Sequence, residues 1–125
     1  MKKQIVTKNA PAAIGPYSQG IEIDGTVYVS GQLGLVPETG EFAEGGIEGQ
    51  ARQALRNVRA ILEAAGLTMG DVVKTTCLLQ DIRDFGAFNE VYKEFFEGVA
   101  PARSAYAVAG IPKGGLVEIE VVGVK

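Results

Sequence analysis

The chain has 125 residues, 12 Lys and Arg against 15 Asp and Glu, a formal net charge of -3, one cysteine and no histidine. That length is one domain's worth, residues 1–125, and its acidic balance supplies no cationic field to gather phosphate backbones, so nucleic acid is not an expected partner. Without histidine there is no Ser-His-Asp or Cys-His nucleophile chemistry and no histidine metal ligand, and a lone Cys77 rules out an internal disulfide or a multi-cysteine metal site. The expectation is no cofactor and no metal, with any catalysis resting on carboxylates, Arg, Lys, Tyr, main-chain groups and water.

The opening Met1-Lys2-Lys3-Gln4-Ile5-Val6-Thr7 has no apolar h-region, and no apolar run reaches membrane-spanning length. A soluble, cytosolic protein with no membrane partner is expected. Ile21–Ile23 and Thr26–Ser30 read as strands joined by Asp24-Gly25, a dipeptide that favours a tight hairpin. From Ile47, apolar residues at Ala51, Ala54, Leu55, Val58, Ile61, Leu62 and Ala65 form one helical face, closed by Gly66. Residues 71–81, with Val72-Val73-Lys74-Thr75-Thr76-Cys77-Leu78-Leu79, read as a buried central strand with Cys77 in the core.

A second helix is predicted with Asp81 or Asp84 as N-cap, Phe85, Phe88, Tyr92, Phe95 and Phe96 as packing residues, and Gly98 and Pro101 at its end. Residues 102–109 and 116–124 complete the chain as strands. The order β-β-α-β-α-β-β describes an α+β domain with one mixed sheet and two helices on one of its faces. The last strand sets Val117, Ile119 and Val121 on one side and Leu116, Glu118, Glu120, Val122 and Val124 on the other, too apolar for water, so self-association is expected.

Arg103 lies in a run of small residues, Pro101 to Ala109, which leaves room for a cavity around one guanidinium. It reads either as a two-point anchor for a carboxylate or as an edge-strand arginine snorkelling to water. Glu118 and Glu120 share one strand face; one of them could handle a water as a base, or both could be solvated. Tyr17, in the turn Gly15-Pro16-Tyr17-Ser18, is a loop-borne donor or a lid on the core. At Ser30-Gly31 a hydroxyl can donate and the main chain admits close approach, although glycines end many strands.

Pro101-Ala102-Arg103-Ser104, Ile111-Pro112-Lys113 and Val117-Glu118-Ile119-Glu120 together resemble the C-terminal signature of the RidA (YjgF-type) family. The resemblance extends along the chain through Asn9-Ala10-Pro11, Gly15-Pro16-Tyr17-Ser18-Gln19-Gly20, Val29-Ser30-Gly31-Gln32, Gln50-Ala51-Arg52-Gln53-Ala54-Leu55 and Ala64-Ala65-Gly66-Leu67. It implies a chorismate-mutase-like α+β fold assembled as a homotrimer with intersubunit sites, and hydrolysis of 2-imino acids to 2-keto acids and ammonia. By the same resemblance Arg103 binds the substrate carboxylate and Glu118 activates water. Tyr17, Ser30, Gly31, Asn89 and Ala105 then line the pocket, and Glu120 has a supporting role. Two departures stand out: Ala105 replaces a cysteine found in several such deaminases, and the connection Glu97–Ala100 is shorter than in some relatives. The competing readings are a non-catalytic keto-acid-binding sensor or chaperone-like trimer, and an endoribonuclease or translation inhibitor.

Overall fold

A computed structural model describes residues 1–125. Strand β1 (Lys3–Ile5), which the sequence reading did not include, pairs antiparallel with β2 (Gly20–Ile23). Three residues are too few to show an alternating pattern. Hairpin β2–β3 (Thr26–Leu33) turns at Asp24-Gly25, whose positive φ values of 49° and 81° are those of the turn type that matches strand twist. Helix α1 (Gly46–Ala64) closes with two bonds, Gly66 N–H to Glu63 O at 3.0 Å and Leu67 N–H to Leu62 O at 2.9 Å.

The remaining elements are β4 (Val72–Leu79), α2 (Phe85–Tyr92), β5 (Ala102–Ala107) and β6 (Val117–Val124). The sheet order is β1-β2-β3-β6-β4-β5, with only the β4–β5 pair parallel, so the sheet is mixed as expected. The second helix is shorter than its apolar pattern suggested. Asp81 caps a 3-10 turn at Ile82–Asp84, the regular helix starts at Phe85, and another 3-10 turn, Lys93–Phe95, ends it before Gly98. Asp84 precedes the helix but makes no side-chain cap bond.

Both helices cover one face of the sheet. Leu55, Ile61 and Leu62 of α1 and Phe88 of α2 pack there with Val27, Cys77, Leu79, Val117, Ile119 and Val121, all buried. Each such aliphatic side chain contributes about 1.5–3 kcal/mol, against at most about 1 kcal/mol for the exposed Arg52–Glu94 pair, so apolar packing holds the layers together. The opposite sheet face carries Ile23, Tyr28, Tyr106 and Val124, each more than a third exposed. No helix is long and apolar enough to cross a membrane.

Candidate active site

Arg103 pairs in register with Thr75, which is buried beneath the helices, so the arginine leaves β5 toward the helix layer. Its guanidinium donates to Asn89 Oδ1 at 2.6 Å and stands 4.7 Å from the Tyr92 ring centre and 5.2 Å from that of Phe85. It is half-buried on the edge strand, with its guanidinium held against α2. The local run of small residues misled on one point: the packing against this guanidinium comes from α2, 11 to 18 residues earlier in the chain. A cavity of about 520 Å³ opens beside it, lined by Asn89, Glu90, Tyr92, Lys93, Ala100, Pro101 and Arg103. Ala100 is the last residue of the short connection Glu97–Ala100, so that connection borders this cavity. Ala105 lies two residues further along the same face, in register with Cys77 and packed against the core.

Glu118 sits elsewhere. It pairs with Leu33 and with Leu78, and Leu78 is three positions from Thr75 on β4, which places Glu118 on the open face of the sheet. A cavity of about 680 Å³ there gathers Tyr17, Ser30, Gly31, Lys113 and Glu118 within apolar walls that include Ile14, Leu33, Leu35 and Pro112. Burial first, and then the charge of Glu120, hold the Glu118 carboxyl above the ordinary carboxylate range. Glu120 itself is exposed.

Ser30-Gly31 does not end β3. The strand continues to Leu33 through an irregularity between Val29 and Gln32, where the pairing with β6 shifts register. The carboxylate of Glu118 folds over Gly31 so closely that a Cβ there would stand 2.8 Å from Oε2 and 2.9 Å from Cδ. Only glycine leaves that space. Gly31→Ala should therefore displace the flexible glutamate, and if Glu118 handles water as the family resemblance implies, kcat/KM for imine hydrolysis should fall about ten- to a hundredfold with little change in melting temperature. Parallel rate and thermal-denaturation measurements check this, and a parent-like rate would contradict it. The Ser30 hydroxyl donates to Ser18 O at 2.5 Å, so its proton is committed and it offers the cavity lone pairs where a donor was expected.

Three buried amides that the sequence reading passed over hold this half in place. Gln19 accepts from Thr7 N–H at 2.8 Å and donates to Thr7 O, Ala10 O and Pro11 O, tying down the loop that carries Tyr17. Asn57 on α1 donates to Leu33 O and Leu35 O at the end of β3, and Gln50 accepts from Leu116 N–H just before β6. A polar residue on an otherwise apolar helix face was the available signal for Asn57. Tyr17, half exposed, is the side chain left free at the cavity mouth.

Cys77 is fully buried and its thiol is pushed up to about 11, chiefly by burial. It is inert core. The arrangement is thus a small α+β fold with two separate clusters: an aromatic-backed cation beside the helices and a hindered carboxylate on the bare sheet face. The chain belongs to the RidA/YjgF family, since the family model described as Endoribonuclease L-PSP matches residues 7–125. The 2-iminobutanoate/2-iminopropanoate deaminase of Mus musculus is 53% identical over 125 residues, covering 100% of this chain and 93% of that one. The protein of the same name from Salmonella typhimurium is 49% identical over 128 residues, covering 100% and 99%. Among solved structures, the yjgF gene product of E. coli superposes with a TM-score of 0.95 at 48% identity over 98% of each chain. E. coli TdcF with bound serine gives 0.94 at 45%, again over 98% of each.

Proposed function

We propose that this chain hydrolyses 2-imino acids, such as 2-iminobutanoate and 2-iminopropanoate, to 2-keto acids and ammonia, at sites completed between the subunits of a homotrimer. One observation carries the reading. The cation and the carboxylate that the chemistry needs lie on opposite faces of one sheet, so a small molecule meets both only where the Arg103 side of one copy abuts the Glu118 side of the next. Two different surfaces in contact make a head-to-tail interface, which closes as a ring of three when each copy is rotated by a third of a turn from the last. The exposed Ile23, Tyr28, Tyr106 and Val124 supply an apolar face for it. The names of the relatives support the substrate class.

In this reading Arg103 grips the substrate carboxylate through the donors Asn89 leaves free. The C=N carbon of the protonated imine is already electrophilic. Water attacks it as Glu118 takes a water proton, and the C=N electron pair withdraws onto nitrogen. That proton passes to the nitrogen, the C–N bond breaks to release ammonia, and the hydroxyl gives its proton to the freed Glu118 carboxylate as the keto group forms. Tyr17, Ser30, Gly31, Asn89 and Ala105 line the joined cavity. No cofactor or metal enters these steps. A net charge of -3 and the lack of histidine argue against the RNA that the family description names, while the unpaired Arg103 favours a small acidic substrate.

The test is release of 2-ketobutanoate and ammonia from freshly generated 2-iminobutanoate. Acceleration over the rate in water is expected; keto-acid binding without acceleration would leave the chain a sensor. The acid limb of the pH profile should lie above the ordinary carboxyl value of 4.5, because a base is lost as pH falls through its raised pKa. Glu120→Gln removes the repelling charge and so should move that limb to lower pH. A limb that stays put in this variant would show that Glu118 does not set it.

A further inference from the structure

We infer that Phe85 and Tyr92 form an aromatic clamp that positions Arg103 for substrate binding while leaving its charge unneutralised. The inference rests on the reading of Arg103 as the carboxylate anchor. Phe85, Asn89 and Tyr92 recur at i, i+4 and i+7, which puts all three on one stripe of α2. Arg103 Cζ lies over both rings, 5.2 Å from the Phe85 centre and 4.7 Å from the Tyr92 centre, and Asn89 Oδ1 reaches the guanidinium at 2.6 Å.

The chemistry of this arrangement differs from that of an ion pair. An acidic partner would occupy the N–H fork and cancel the charge that a carboxylate ligand needs. Aromatic faces stabilise the cation through their π-electrons and use none of its donors. Arg103 takes part in none of the chain's ion pairs. The one carboxylate lining its cavity, Glu90, is held by Lys93 Nζ at 2.9 Å. Tyr92 is fixed in turn, since its hydroxyl shares a 2.8 Å hydrogen bond with the buried Thr75, the residue in register with Arg103. The clamp is thus tied to β4, the strand paired with the one that carries the arginine.

Graded fluorination tests the clamp, because fluorine drains the ring's π-density with little change of shape. Mono-, di- and trifluorophenylalanine at position 85, and phenylalanine with the same series at position 92, should weaken pyruvate binding in step with fluorine number. The full series is expected to reach about three- to thirtyfold, with KM rising in parallel and kcat falling less. Tyr92→Phe without fluorine is the reference for the series at position 92, because it keeps the ring and already lacks the hydroxyl bond to Thr75, so that fluorine number is the only variable. A merely structural role for these rings predicts lower melting temperature and no trend in affinity. Arg103→Lys is the control. If it loses pyruvate binding while the fluorinated proteins bind like the parent, the clamp is wrong and the anchor stands; if it too binds like the parent, the anchor fails and takes the clamp with it.

Discussion

Replacing Glu118 by glutamine should lower the rate of imine hydrolysis by about 10²–10⁴-fold, the span that a positioned general base supplies. Affinity for a 2-keto acid should stay within about threefold of the parent, since the amide preserves volume and much of the hydrogen bonding but has no basic oxygen. The carboxyl is suited to the task because burial and Glu120 raise its proton affinity, and because Gly31 leaves it room over the β3–β6 irregularity. Stopped-flow hydrolysis beside calorimetric titration with 2-ketobutanoate separates the two quantities. A Glu118→Gln protein that turns over like the parent would reduce the glutamate to a structural residue.

Mixing two inactive variants should restore activity, and this is the larger qualitative effect. Arg103→Ala removes the anchor and Glu118→Gln the base, each leaving the other half-site intact. If every site takes its arginine from one subunit and its glutamate from the next, random reassembly of equal amounts leaves about a quarter of the sites with both native residues. The unfolded and refolded mixture should then recover about a quarter of parent activity, while each variant refolded alone recovers about a hundredth or less. Sites contained within single chains would give no recovery at any mixing ratio. Sedimentation of the same samples reports whether the ring is a trimer, and a stable monomer at micromolar concentration would remove the intersubunit site altogether.

Much of the fold was legible because its signals are local. Asp24-Gly25 announces a hairpin through backbone geometry, the stripe from Ala51 to Leu62 announces α1, and Gly66 marks its end. The alternation of Val117, Ile119 and Val121 with Glu118 and Glu120 set the face of each side chain on β6 correctly, since period two is a property of any strand. Cys77 in the core follows from the same rule. The ends of α2 were not legible, because five aromatics between Phe85 and Phe96 continue the apolar pattern through a 3-10 turn that pattern alone does not separate from a helix.

The sequence by itself determined the chemistry available: no histidine, one thiol, one arginine in a run of small residues and one pair of glutamates on a strand face. It also carried the family signature in consecutive residues. Only the tertiary structure decided how those groups are disposed. Arg103 and Glu118 lie fifteen residues apart with no local rule relating their faces; the register of β5 and β6 on the shared neighbour β4 puts them on opposite sides. The rings of Phe85 and Tyr92 came to the guanidinium, and Gly31 to the carboxylate, through contacts between elements distant in the chain. Periodicity fixes which way a side chain leaves its own element, whereas what it meets there depends on how separate elements pack.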